Sequence, residues 1–239
     1  MKKYKKNDTE SWTLGTTLTL ELLIKKTRSA KRVYIHSKQL KNETYYKIID
    51  ICKNNRIEII ESDKIIDQLS DKENCYVVGI FEKFETDLDY SKNHIVLVNP
   101  SNMGNLGTII RSSVGFGINN IAIIKPGVDI FDPKVIRSSM GAIFNINFKY
   151  FDSIDDYLEK CEDRELFPFM LKAKTNLKDV KFQKNYSLIF GPEAEGLDDK
   201  YLNIGTPVII RHSNNIDSLN LPNAVSIALY EFTKNNNFK

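Results

Sequence analysis

The feature that most restricts this chain's possible folds is a recurring alternation. Apolar runs of strand length are separated by segments of helical period. In the first third the runs RVYIHS, RIEII and CYVVGIFEKF are separated by ETYYKIIDICKNN and SDKIIDQLS. From residue 94 the rhythm continues with HIVLV, NLGTIIRSSVGFG, NIAIIKP, DPKVIRSSMG, FNINFKYF, SIDDYLEKC, ELFPFML, NYSLIFG and PVIIR, and a final helix is expected over 218–232. Runs rich in Ile, Val and Leu with helical crossovers predict an α/β fold. Its sheet should be mainly parallel and covered on both faces. The polar stretch over 86–93 reads as a linker, so the expected organisation is a small α/β domain over 1–85, a linker, and a larger domain over 94–239. No internal repeat is visible.

Composition narrows the function classes. With 239 residues, 41% hydrophobic and 27% charged, the chain can bury one sizeable core or two modest ones. A net charge of +3 permits an RNA partner without demanding one, although Lys and Arg cluster at MKKYKK and KKTRSAKR. No apolar run approaches the roughly 18 residues of a membrane span, and MKKYKK leads into polar NDTESW, so a cytoplasmic protein without a membrane segment is expected. Cys52, Cys75 and Cys161 lack any C-x-x-C pattern, and His36, His94 and His212 are scattered. Reduced thiols, structural histidines and no metal site are expected.

Open parallel sheets hold ligands beyond the carboxyl ends of their strands. Three stretches combine a strand, a polar loop and a helix there. In the first, over 99–117, Asn105, Gly107 and Arg111 form N-x-G-x-x-x-R, with Asn105 placed to cap the helix carrying Arg111. In LIFGPEAEGL, Gly191 and Pro192 turn the chain and Glu193 sits at the apex. In IIRHSNNIDSLNLPNAVSIALYEF, Ser218 and Asn220 open a helix with Leu221, Ala224, Val225, Ala228, Leu229 and Phe232 on its apolar face. Each alone is an ordinary cap or turn. Together they offer a polar ligand backbone donors and hydrogen-bonding side chains.

In this order the three stretches resemble the motifs of the SpoU (TrmH) family of RNA methyltransferases in the SPOUT superfamily. N-L-G-T-I-I-R is similar to the first motif, F-G-P-E-A-E-G-L to the second and S-L-N with A-L-Y-E to the third, while IRSSMGAIF is a weaker echo of the middle region. Residues 1–85 resemble the family's substrate-binding domain more loosely. The resemblance implies a trefoil-knotted SPOUT catalytic domain, S-adenosylmethionine as cofactor, a homodimer, and methyl transfer to a ribose 2′-hydroxyl of rRNA or tRNA. It places the cofactor against Gly191, Ile210 and Leu219. It gives catalytic or orienting roles to Asn105, Arg111, Glu193, Ser218 and Asn220, with Glu193 holding Arg111 or the loop. Asn102 is a register alternative to Asn105, because an SNMG stretch follows Asn99-Pro100. Arg211 and His212 stand where the family usually has an apolar Pro-Met pair, which makes the rim of the cofactor pocket more polar. Lys25, Lys26, Arg28, Lys31 and Arg32 are candidate RNA contacts. Two other readings stay open: an inactive RNA-binding or assembly factor, and a base methyltransferase using Asp217.

Overall fold

The computed structural model describes residues 4–70, 74–161, 163–183 and 185–236. The first three residues of MKKYKK lie outside this range. Two compact units are present: residues up to Phe84 together with Asp129–Asn145, and Glu85–Val128 together with the chain from Ile146 onward.

The first unit contains β1 (Glu10–Trp12), α1 (Thr16–Lys25), β2 (Ala30–Ile35), α2 (Glu43–Asn54), β3 (Glu58–Glu61), α3 (Asp63–Leu69) and β4 (Val77–Glu82). The sheet order is β1-β4-β2-β3, with β2 parallel to β3 and antiparallel to β4. Helices α2 and α3 start where Asn42 and Ser62 accept backbone N–H groups with their side chains, which satisfies donors that a helix start leaves unpaired. Residues 129–145 pack on this unit through rings: Phe131 and Phe144 meet Phe81 edge-on at 6.0 and 5.5 Å. Asp129 accepts from Lys83 at 3.0 Å, and Ser11 donates to the Phe131 carbonyl at 2.6 Å.

The second unit opens with β5 (His94–Val98), α4 (Met103–Gly115) and β6 (Asn120–Ile124). After α5 (Pro133–Ser138), which belongs to the first unit, it resumes with β7 (Asn147–Phe151), α6 (Ile154–Leu158), β8 (Glu165–Pro168), β9 (Thr175–Asn176), β10 (Tyr186–Phe190), β11 (Val208–Ile209) and α7 (Leu221–Thr233). Its main sheet is β7-β6-β5-β10-β8, and every neighbouring pair is parallel. In register, Leu97 stands between Ile123 and Phe190. All of β6 and β10 is buried, which is why these strands read as unbroken apolar runs. The expected strand PVIIR is reduced to Val208–Ile209, because its partner β9 is only two residues long. Helix α7 packs against α4, with the hydroxyls of Ser112 and Ser226 2.9 Å apart. It begins at Leu221 rather than Ser218, since Pro222 stands in the first turn and is favoured there. Its buried residues are Pro222, Val225, Ala228, Leu229, Phe232 and Thr233, close to the expected stripe.

At the amino ends of the strands, polar groups are joined in one buried network. His94 Nδ1 lies 2.9 Å from the Tyr157 hydroxyl, and Nε2 lies 3.0 Å from the Asp89 carbonyl. Arg164 donates to Ser187 at 2.9 Å and to the carbonyls of Tyr90 and Lys92 at 2.9 and 2.8 Å. Burial pushes the His94 imidazole down from 6.5 to about 4, against the hydrogen bond to Asp89 and helped by the charge of Arg164. Between these values the unfolded chain binds the proton and the folded chain does not. Stability should therefore rise with pH from about 4 to about 6.5, by on the order of 3 kcal/mol. Urea midpoints measured across that range test this, and His94→Gln should flatten the slope.

Candidate functional site

The chain leaves β5 toward β6 on one side, while β10 lies on its other side. This is a topological switch point, where the loops beyond neighbouring strand ends diverge and open a crevice. The loop after β5 leads into α4, and the loop after β10 carries G-P-E-A-E-G. Both emerge side by side because Phe190 is in register with Leu97.

Glu193 links the two loops. Its carboxylate accepts from Asn105 Nδ2 at 3.1 Å and from Ser101 Oγ at 3.0 Å. Partial burial pushes this carboxyl up, but hydrogen bonds from its own amide, Asn105 and Ser101 outweigh that and hold it below its ordinary value of 4.5. The tie is thus fully charged above the ordinary carboxylate range and is lost as pH falls through the depressed value. Glu193 holds the loop and the start of α4; among the described residues no hydrogen bond or ion pair joins it to Arg111. Arg111 is exposed on α4 and free of such partners.

The helix cap also differs from expectation. Asn102, not Asn105, is the N-cap of α4: it has extended backbone, and its side chain accepts the Asn105 N–H at 3.0 Å. Asn105 therefore stands inside the first turn, which frees its amide to reach Glu193. Ser218 is exposed and caps no helix among the described residues. Asn220 is the N-cap of α7 but makes no side-chain cap bond. Neither is tied down at the helix start.

A cavity of about 360 Å³ lies beneath the second and third stretches. It brings together Gly191, Ile210 and Leu219 with Glu193, Ser218 and Asp217, while Leu221 and Ala224 of α7 form part of its wall. Asn105, Arg111 and Asn220 are not among its lining residues. The size falls in the range of small-molecule sites, and the lining mixes apolar side chains with loop backbone. His212 also lines it, and its Nε2 is buried with no hydrogen-bond partner. His212 thus stands at the polar pocket rim that the motif resemblance implies, while its unsatisfied ring nitrogen shows only in three dimensions.

The need for glycine at 191 has a local cause. A Cβ there would lie 2.3 Å from the Gly196 carbonyl carbon and 2.4 Å from the Leu197 nitrogen. Loop backbone, rather than a ligand, occupies that space. Gly196 closes the turn, donating to the Pro192 carbonyl at 3.0 Å with φ +69°, a left-handed value that favours glycine.

The basic cluster of the first unit is partly neutralised. Lys31 pairs with Glu82 at 2.5 Å and Arg32 with Glu10 at 2.7 Å, while Lys26 lies over the Phe84 ring at 4.7 Å. Lys25 and Arg28 are exposed. Among the described residues no group of His, Cys, Asp and Glu could hold a metal ion, and no helix is long and apolar enough to cross a membrane.

An open parallel sheet with a cleft at its switch point defines an α/β protein of the class that takes ligands beyond its strand ends. The model of the SpoU rRNA Methylase family matches residues 92–230, more than half of the chain. The chain belongs to that family. A tRNA/rRNA methyltransferase of Synechocystis sp., itself uncharacterised, is 34% identical over 57% of this chain and 51% of its own. A tRNA (cytidine(34)-2′-O)-methyltransferase of Methylovorus glucosotrophus is 27% identical over 60% of this chain and 96% of its own. The match thus spans about half of the first relative and nearly all of the second. A crystal structure of a SpoU methyltransferase from Streptomyces viridochromogenes in complex with the cofactor AdoMet superposes with a TM-score of 0.83 at 21% identity. It covers 95% of this chain and 90% of its own. That likeness bears out the α/β fold with its parallel sheet.

The close approach at residue 191 makes a prediction. Gly191→Ala should cost about 1–3 kcal/mol, because loop backbone must move to admit the methyl. Gly191→Val should cost more. Thermal unfolding measures both, and an unchanged midpoint for the Ala variant would contradict the close approach.

Proposed function

We propose that this protein transfers the methyl group of S-adenosylmethionine to a ribose 2′-hydroxyl of RNA. The observation that carries the proposal is the junction at the switch point: Glu193 ties the second motif to the first directly beside the cavity lined by Gly191, Ile210 and Leu219. The residues fit such a cofactor: the cavity has apolar walls, loop backbone groups and a ring nitrogen lacking a partner. When bound, S-adenosylmethionine supplies an activated methyl on a sulfonium. Methyl transfer would give S-adenosylhomocysteine, the 2′-methoxy ribose and one proton, which passes to solvent water.

The chain's part is positioning and electrostatics. Arg111 is exposed and unpaired, so its guanidinium is free to grip an RNA phosphate with its planar fork and to stabilise charge developing on the attacking oxygen. Glu193 is a poor base, because its charge is stabilised and both oxygens are engaged. It fixes Asn105, whose remaining polar atoms can meet the ribose. Ser218 lines the cavity, and Asn220, free of a cap bond at the start of α7, is available to orient the ribose. The trefoil knot is proposed from the family resemblance alone; the sheet order, with β10 between β5 and β8, is compatible with it.

The substrate is ribosomal RNA or tRNA, the two classes named for relatives of this chain. In that reading the domain over 1–85 selects RNA, with Lys25 and Arg28 as its free charges. A homodimer through the catalytic domain fits Ile227 and Tyr230, which are 41% and 60% exposed on α7.

Single-turnover methylation of RNA with labelled cofactor, followed by nuclease mapping, tests the activity. It distinguishes ribose methylation from base methylation and from inactive binding. Arg111→Ala should slow transfer about a hundredfold, Arg111→Lys should restore little, and both should bind S-adenosylmethionine normally. Near-normal transfer by Arg111→Ala with saturating RNA would remove Arg111 from the mechanism. For the dimer, sedimentation at micromolar concentration should give twice the chain mass, and Tyr230→Glu should shift it to the monomer. A fully active monomer would refute the assembly.

A further inference from the structure

Among the described residues, three buried side-chain polar atoms lack a hydrogen-bond partner: Trp12 Nε1, Ser113 Oγ and His212 Nε2. His212 is the one of the three that also lines the cavity between the second and third motifs. Such a nitrogen is costly to leave unpaired, and a native fold retains it where a partner arrives from outside the chain.

The chain just before His212 is anchored. Val208 and Ile209 pair in parallel with Thr175 and Asn176, and the Arg211 guanidinium donates to the Asn176 side chain. These contacts tie the residues just before His212 to β9. The other charged or titratable groups lining the cavity are Lys172, Glu193, Glu195 and Asp217. Lys172 pairs with Asp199 at 2.6 Å and Glu193 is engaged by Asn105 and Ser101, so none of these contacts occupies the His212 nitrogen.

We propose that His212 is a cofactor-recognition residue, whose Nε2 completes its hydrogen bonding on a polar group of bound S-adenosylmethionine. The assignment rests on the cofactor site argued above. It adds a side-chain contact to a pocket that otherwise offers mainly backbone and apolar surface. A ring nitrogen here discriminates by hydrogen-bond complementarity, since a ligand lacking the matching polar group leaves it unpaired.

Calorimetry with S-adenosylmethionine on wild-type protein, His212→Phe and His212→Gln tests the assignment. The Phe variant fills the space without a hydrogen bond and should bind about tenfold more weakly, whereas Gln, whose amide can replace the ring nitrogen, should keep most of the affinity. In wild-type protein labelled with ¹⁵N at its three histidines, the His212 ring signals, identified by their absence from His212→Gln, should shift when the cofactor is added. This readout holds even where His212→Phe fails to fold. Wild-type affinity in a folded His212→Phe variant, or unmoved His212 signals at saturation, would overturn the proposal. Ala224→Trp, which obstructs the same cavity, should abolish binding. If that variant binds as wild type does, the cofactor site itself is misplaced and the assignment of His212 falls with it.

Discussion

The second unit depends on β10 lying parallel beside β5. Their register sets Phe190 next to Leu97, so the loops that follow rise from adjacent strand ends. Only then can Glu193, separated from Asn105 by 88 positions, reach it within hydrogen-bond distance. The same adjacency crowds the loop onto Gly191, where a single methyl would strike backbone. Catalytic geometry and chain packing are therefore one constraint. The carboxylate that seems suited to chemistry is consumed in holding two loops together.

The two ends of the sheet divide labour. At the amino ends, His94, Tyr157, Ser187 and Arg164 satisfy one another in a largely buried network. Burial drives the Tyr157 hydroxyl far above its ordinary value and keeps His94 neutral. Such a network is rigid, because every member loses a partner if one moves. At the carboxyl ends polar groups are left open: Ser218 and His212 Nε2 lack hydrogen bonds within the described chain. Unpaired groups above a satisfied base are what preorganised recognition needs.

How much of this was legible in the sequence depended on what set each feature. HIVLV, NIAII and YSLIF were readable because strands buried on both faces must be apolar throughout. Helix α1 was not identified, since T-L-T-L-E-L alternates like a strand and its helical period emerges only in the burial of Leu18, Thr19, Leu22 and Leu23. Asn102 and Asn105 are chemically equal candidates for a cap. The choice was made by the backbone, extended at Asn102 and helical beyond it. Gly191, Ile210, Leu219, Glu193 and Ser218 were legible through motif resemblance and do converge on one cavity, as does His212 at its polar rim, but no local pattern could show that the His212 ring nitrogen lacks a partner there. Sheet order is a long-range property, and the partners of Glu193 follow from it alone.

The packing of residues 129–145 on the first unit bears on the order in which this protein can be made. Phe81 is translated early, but Phe131 and Phe144, two of the rings that surround it, lie dozens of residues further along. A nascent chain emerging from the ribosome therefore cannot finish its amino-terminal core when that stretch first appears. It must keep an unfinished apolar surface through the synthesis of β5, α4 and β6, and seal it only when residue 145 has passed the exit. The two units interleave along the chain, so a clean cut between them in the gene is not a clean cut in the fold.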